Sequence, residues 1–190
     1  WTNSKYVGDG DVFLATERNY KYIDLNLLKK VSEIVFVSDE NKYIYDNYYD
    51  KIKDLKLIGV TGTNGKTTTC YLIYQMLNLI GIKTAYIGTI GFYIDDMVFK
   101  LDNTTPEISL LYNMLYYAKK RKCRVVVMEV SSHALKQDRT YGLLFDSVLV
   151  TNITRDHLDY HKTLKDYIKS KQKLIHLTRG KKICILNKKD

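Results

Sequence analysis

Short apolar runs alternate with longer amphipathic stretches along most of the chain. Val12-Phe13-Leu14-Ala15 predicts a strand, and residues 24–31 carry Leu27, Leu28 and Val31 at helical spacing. Ile34-Val35-Phe36-Val37 predicts a second strand, closed by Ser38-Asp39. Residues 39–56 are polar, charged and tyrosine-rich, with the character of a connection or a weak helix, and a domain boundary is expected near residues 53–56. Leu57-Ile58-Gly59-Val60 then has the length and apolarity of a buried parallel strand. A Gly/Thr/Asn loop follows. Beyond it, Leu72, Ile73, Met76, Leu77 and Ile80 predict one apolar side of a helix that Gly81 stops. Residues 84–87 predict a strand. Thr105-Pro106-Glu107 predicts a helix start, with Thr105 as N-cap, Pro106 at the first position and Glu107 in the positive first turn, the helix running to about Arg121. Residues 125–130 form the strongest strand signal, 147–151 another, 164–177 a helix and 183–186 a last strand. Strand and helix alternate throughout, which predicts an α/β fold: a mostly parallel sheet flanked by helices, preceded by a truncated α/β piece.

Composition narrows the class. Of 190 residues, 45% are apolar and 27% charged, with a single proline, which excludes a disordered or collagen-like chain. No apolar run approaches the roughly 20 residues that span a bilayer. Three cysteines (Cys70, Cys123 and Cys184) cannot form a disulfide framework, and no secretory signal opens the chain, so a reducing, cytoplasmic setting is expected. The chain opens on Trp1 and closes directly after a strand-like run, so both ends are read as cut and the chain as a fragment of something longer. The net charge of +9 raises a nucleic-acid partner. Lysine dominates over arginine, however, and the lysines are spread out, so solvated surface charge is the favoured reading. Among the 17 tyrosines, Tyr43, Tyr45, Tyr48 and Tyr49 could stack bases, but packing or compositional bias is the simpler account.

Candidate chemistry begins in the loop Gly62-Thr63-Asn64-Gly65-Lys66-Thr67-Thr68, between a predicted strand and a predicted helix. This is the setting in which a glycine-rich loop cradles phosphates. Glycines let amides approach phosphate oxygens. Lys66 would reach the β and γ phosphates, and the Thr67 hydroxyl would ligate Mg²⁺. The strict spacing G-x-x-x-x-G-K-[ST] is not met, because Val60 stands five positions before Gly65. Glu129 lies at the carboxyl end of the strongest strand, where parallel sheets gather ligands, and beside a phosphate loop a metal-holding role is preferred over a solvated one. His157 and His161 are four apart, a spacing that suits a metal on a helix and also suits two surface histidines; Asp156 and Asp159 could contribute or cap a turn.

Residues 59–68 resemble the ATP loop of the Mur ligase superfamily, which carries this variant spacing. Asn103-Thr104-Thr105-Pro106, the segment 128–135 with Ser131-Ser132-His133-Ala134-Leu135, and the segment 151–161 with Asp156-His157-Leu158-Asp159-Tyr160-His161 together resemble ligases of MurE type. The resemblance implies ATP-dependent addition of the third amino acid to UDP-MurNAc-L-Ala-D-Glu through an acyl phosphate, in peptidoglycan biosynthesis, with ATP and Mg²⁺. It implies that Lys66, Glu129, His157 and Lys171 serve catalysis. Thr67, Glu129, His157 and a carboxylated Lys171 would hold the metal. Thr104, Thr105, Ser131, Gln137 and Arg139, with Asn103 beside them, match residues that contact the muramoyl-peptide. Asn3-Ser4-Lys5 resembles the start of the family's UDP-binding domain, making Ser4 a uridine-nucleotide contact, whereas Arg18-Asn19-Tyr20-Lys21 departs from the family's next nucleotide loop. His133 is read as a satisfied, partly buried histidine. The implied organisation is a partial UDP-binding domain over 1–55 and a C-terminally truncated ATP-binding domain over 56–190, the amino-acid-binding domain being absent. The expected partners are small molecules (UDP-MurNAc-dipeptide, ATP and an amino acid) and neither nucleic acid nor membrane, for a monomer; the isolated chain is expected to form no product. The alternatives are another Mur or folylpolyglutamate-type ligase, set apart by the 131–135 and 156–161 segments, and a phosphate-loop module with a nucleic-acid partner.

Overall fold

A computed structural model describes residues 1–154 and 163–187. The chain opens with a small parallel pair, β1 (Val12–Ala15) and β2 (Glu33–Phe36), joined through the helix α1 (Leu25–Lys30). Asp24 caps that helix by accepting a hydrogen bond from the Leu27 amide. Val7, Phe13, Ala15 and Leu27 bury themselves between helix and strands.

Residues 40–52 form a three-turn helix, α2 (Glu40–Ile52), capped by the Asp39 carboxylate on the Lys42 amide at 3.0 Å. Of the two readings of this stretch, the helical one holds. Ile44 and Ile52 are buried, and Tyr43 and Tyr48 pack beside them, so tyrosine rings supply much of the apolar stripe that aliphatic residues would otherwise provide.

The main sheet is seven-stranded. Its strands are β3 (Lys56–Thr61), β4 (Thr84–Gly88), β5 (Gly91–Ile94), β6 (Met97–Phe99), β7 (Val125–Glu129), β8 (Phe145–Val150) and β9 (Thr178–Leu186), in the order β6-β5-β4-β7-β3-β8-β9. β4, β7, β3, β8 and β9 run parallel. β5 and β6 form an antiparallel extension on one edge. Every residue of β7 is buried, as a central parallel strand covered on both faces requires. The helices are α3 (Lys66–Leu79), α4 (Ile108–Lys120), α5 (Ser132–Lys136) and α6 (Leu164–His176). On one face Val60, Val125, Val127 and Tyr86 pack with Cys70 of α3. On the other, Ala85, Ile87, Val126 and Met128 pack with Leu111, Leu115 and Ala118 of α4 and Leu174 of α6. The parallel, helix-flanked sheet is as expected from the sequence.

Several local expectations are corrected. Within α3, Ile73 and Leu77 pack inward with Cys70, Tyr71 and Tyr74, while Leu72, Met76 and Ile80 are 52%, 63% and 71% exposed. The inward face is fixed by tyrosines: Tyr71 and Tyr74 contact the rings of Tyr86 and Tyr93 on the sheet. Ring packing therefore turned the helix away from the aliphatic stripe. α4 begins at Ile108 with Glu107 as its N-cap, not with Thr105, whose hydroxyl is committed to β7. The β5–β6 hairpin and the short helix α5 were not anticipated; the hairpin reverses at Asp95, whose φ of 51° is left-handed. Replacing the fully buried Leu111 by alanine should cost about 3 kcal/mol in a urea titration, whereas Leu72→Ala should move stability by no more than about 0.5 kcal/mol.

Candidate functional site

The loop between β3 and α3 is shaped by two glycines. Gly65 holds φ at 80° and stands at the N-cap of α3. Gly62 holds φ at 149°, and a Cβ there would fall 1.9 Å from the Thr151 hydroxyl oxygen. The loop can lie this close to the segment after β8 only because Gly62 has no side chain. That segment pins it. The Thr63 amide donates to the Asn152 carbonyl at 2.8 Å, and the Asn64 amide to Asn152 Oδ1 at 2.9 Å. Thr151 Oγ1 donates to the Asn64 carbonyl at 2.6 Å. The Thr63 hydroxyl accepts from the Thr154 amide at 2.9 Å and shares a hydrogen bond with the Tyr167 hydroxyl at 3.0 Å. The result is a rigid loop opening on a helix N-terminus, an electropositive place for an anion.

Two lysines converge on this loop. Lys66 Nζ donates to the carbonyls of Gly62 and Thr63, each at 2.8 Å. Lys171 Nζ, from α6, donates to the same Gly62 carbonyl at 2.8 Å and lies 4.4 Å from the centre of the Tyr167 ring. Lys171 is 2% exposed, while its neighbours Lys169 and Lys173 are at the surface. Lys171 is therefore not the ordinary surface lysine that its flanking lysines would suggest.

Glu129 is fully buried at the end of β7. Its Oε1 accepts from the Tyr86 hydroxyl at 2.5 Å and the Thr89 amide at 2.9 Å. Its Oε2 accepts from the hydroxyls of Thr67 at 3.0 Å and Thr89 at 3.2 Å. Among the described residues no cation lies within ion-pair distance of it. Burial, and then the hydrogen bond to Glu129, push the Tyr86 phenol far above its ordinary pKa. Burial followed by the charge of Glu129 does the same to the Cys70 thiol. A buried carboxylate held by neutral donors beside a phosphate loop suits a hard cation bound through oxygen, shared between few protein groups and a phosphate. Thr67 and Glu129 therefore fit the metal expected of them.

Thr105 ties β7 to the neighbouring cavity. Its hydroxyl donates to the Glu129 carbonyl at 3.0 Å and accepts from the Ser131 amide at 3.0 Å. Its carbonyl receives Arg139 Nη1 at 2.7 Å. Ser131 caps α5 through the Ala134 amide. A cavity of about 270 Å³ is lined by Lys66, Lys171, Asn103, Thr104, Ser131 and Arg139, with Thr105, Ser132 and His133. A larger one, of about 670 Å³, gathers Ser4, Gln137 and Arg139 with Arg18, Asn19 and Glu40. Arg139 lines both. Thr68 sits exposed in the first turn of α3. His157, His161, Asp156 and Asp159 lie outside the described residues.

Some contributors carried no role in the sequence reading. Tyr86 and Thr89 hold Glu129, and Thr151, Asn152 and Tyr167 hold the loop. A tyrosine inside a buried strand is the one available signal, since its hydroxyl needs a partner. His133, read as structural, lines the smaller cavity.

A strand, a glycine loop and a helix, with an acidic strand end alongside, define an α/β domain of the phosphate-loop class. More narrowly, the chain belongs to the Mur ligase family: the model of the Mur ligase middle domain matches residues 60–190. It is 44% identical over 157 residues to the UDP-N-acetylmuramoyl-L-alanyl-D-glutamate--2,6-diaminopimelate ligase of Helicobacter pylori, covering 82% of this chain and 33% of that protein. It is 51% identical over 119 residues to the ligase of the same name from Wolinella succinogenes, covering 62% of this chain and 27% of that one. The chain thus spans no more than about a third of these relatives. A solved structure of a ligase of this name superposes with a TM-score of 0.76 at 26% identity, over 100% of this chain and 43% of that one. MurF ligase from Thermotoga maritima, solved in complex with ADP, shares the fold, with a TM-score of 0.65 at 20% identity over 98% of this chain and 44% of that one.

Thr105→Val keeps the side-chain shape but strands the Glu129 carbonyl and the Ser131 amide. It should cost about 1–3 kcal/mol in denaturant unfolding, and Thr105→Ser should recover most of that.

Proposed function

We propose that this chain is the nucleotide-binding part of an ATP-dependent ligase of MurE type, acting in the cytoplasm on UDP-MurNAc-L-Ala-D-Glu. Residues 1–55 belong to a uridine-nucleotide domain and 56–190 to the ATP domain. In the reaction, the side-chain carboxylate of D-Glu attacks the γ-phosphorus of ATP and ADP leaves. The amine of the incoming amino acid then attacks the acyl phosphate, an amide forms, and inorganic phosphate departs as the amine loses its proton. This chemistry depends on alignment and charge neutralisation more than on covalent help.

The observation that carries the reading is the pair of cavities meeting at Arg139. One is lined by Ser4 and Gln137, the other by Lys66 and Lys171. A substrate with a nucleotide at one end and a carboxylate at the other fits such a path, with Arg139 suited to a carboxylate. Asn103, Thr104 and Ser131 supply polar contacts for the sugar-peptide. Thr105 serves by holding Ser131 through its hydroxyl and Arg139 through its carbonyl. The amides at the start of α3, from residues 65–68, and the Lys66 ammonium receive the phosphates, while the Thr63 and Asn64 amides hold the loop to Asn152.

Thr67 and Glu129 would hold Mg²⁺, with His157 and carboxylated Lys171 as further ligands. Bound there, the metal would neutralise charge on the phosphates. Carboxylation of Lys171 joins its neutral amine to CO₂ with loss of a proton, and the carbamate keeps one N–H for the Gly62 carbonyl. Lys171 is set apart from the lysines beside it by its burial against the loop.

The rival reading, a phosphate-loop module for nucleic acid, rests on the +9 charge alone. Calorimetric titration with Mg-ATP should show saturable binding that Lys66→Ala weakens by roughly tenfold to a hundredfold, the worth of a lost charged hydrogen bond. Unchanged affinity would remove Lys66 from the site. Oligonucleotide binding that falls steeply with salt, without ATP binding, would favour the rival.

A further inference from the structure

We propose that Tyr86 is a positioning residue for the divalent-cation site, clamping one oxygen of the Glu129 carboxylate so that the other alone is presented beside Thr67. The inference rests on the reading of Glu129 as a metal-holding residue.

The two carboxylate oxygens have different surroundings. Oε1 receives the Tyr86 hydroxyl at 2.5 Å and the Thr89 amide at 2.9 Å. Those donors take up its acceptor capacity. Oε2 receives only hydroxyls, from Thr67 at 3.0 Å and Thr89 at 3.2 Å. A hydroxyl can rotate its proton away and offer a lone pair to a cation. An amide cannot do so, and the Tyr86 phenol is fully buried with its oxygen directed at Oε1. The asymmetry makes Glu129 a one-oxygen ligand, directed toward the residue that follows the loop lysine.

Tyr86 is built to stay there. Its ring meets Tyr71 edge-on at 5.8 Å and Tyr93 at 5.6 Å, with Tyr74 at 6.2 Å. It is on β4 opposite Val127 of β7, two residues short of Glu129 on the same face of the sheet. Gly88 leaves the passage open: a Cβ there would fall 2.2 Å from both the Tyr86 hydroxyl oxygen and Glu129 Oε1. The tyrosine cage, a glycine and a strand-end carboxylate thus converge on one hydrogen bond. Groups that orient a metal ligand in this way typically contribute a factor of about 10–100 to metal affinity.

Tyr86→Phe keeps the ring in its cage and removes only the hydroxyl. Mn²⁺ titration followed by electron paramagnetic resonance, with a non-hydrolysable ATP analogue present, reads metal affinity without turnover. Tyr86→Phe should weaken Mn²⁺ binding about tenfold, while affinity for the analogue without metal stays at the wild-type value. Glu129→Gln should abolish tight Mn²⁺ binding, and adding Tyr86→Phe to it should change nothing more, because the hydroxyl acts through Glu129. Wild-type Mn²⁺ affinity in Tyr86→Phe, with Glu129→Gln defective, overturns the positioning role alone. Wild-type affinity in Glu129→Gln overturns the metal reading of Glu129 itself. Equal loss of Mn²⁺ and metal-free analogue binding in Tyr86→Phe would show a merely structural tyrosine and also overturn the proposal.

Discussion

The constraint on which the site depends is a carboxylate with no exposed surface. Glu129 ends a strand whose every residue is buried, and its charge must be met there by hydrogen bonds or by a cation. The protein meets it from three directions. α3 contributes Thr67, β4 contributes Tyr86, and the turn after β4 contributes the amide and hydroxyl of Thr89. Each donor belongs to a different part of the chain, so the carboxylate can be satisfied only when β4, β7 and α3 have assembled. The backbone of the same residue reaches the opposite side, since the Glu129 carbonyl accepts the Thr105 hydroxyl. The loop, the Glu129 carboxylate and the cavity beside Thr105 are therefore coupled through a single strand end.

The parallel order of the sheet makes this convergence possible. With β3 lying between β7 and β8, the loop after β3 emerges between Glu129 and the segment Thr151-Asn152. Crossing connections place distant residues side by side at the carboxyl edge, the position where open α/β sheets collect ligands. Hydrogen bonds between residues 63–64 and 151–154 then fix the loop from outside, which a strand–loop–helix unit could not do alone.

What the sequence revealed follows from where its information is local. The strands 57–60 and 125–130 read correctly because burial on both faces demands continuous apolar runs, and those runs need no knowledge of neighbours. The placing of a glycine loop between a strand and a helix read correctly because positive φ and helix-start chemistry are local as well. The inward face of α3 did not, because tyrosines on β4 and β5 selected it. Thr105 was misread as a helix cap for the same reason: its hydroxyl has two possible employers, and the stronger one lies on β7, 24 residues along the chain. Periodicity could not anticipate the β5–β6 hairpin, whose strands are short and whose reversal relies on a left-handed aspartate. Among site residues, Lys171 shows the sharpest contrast. Its flanking lysines make it unremarkable in sequence, yet α6 turns it alone into the interior.

Lys66 and Lys171 bring the argument to charge. Both donate to the carbonyl of Gly62, so two nitrogens that are cationic in their ordinary protonation state share one acceptor. Like charges at such a separation oppose one another, more strongly where water is excluded. A phosphate anion in the loop would relieve that opposition by drawing Lys66 outward. Conversion of Lys171 to a carbamate would relieve it by reversing one sign. In the proposed reading both occur. The excess of basic residues over acidic ones across the chain matters far less than these two, because surface charge is screened within about 10 Å, whereas buried or partly buried charge is screened much less.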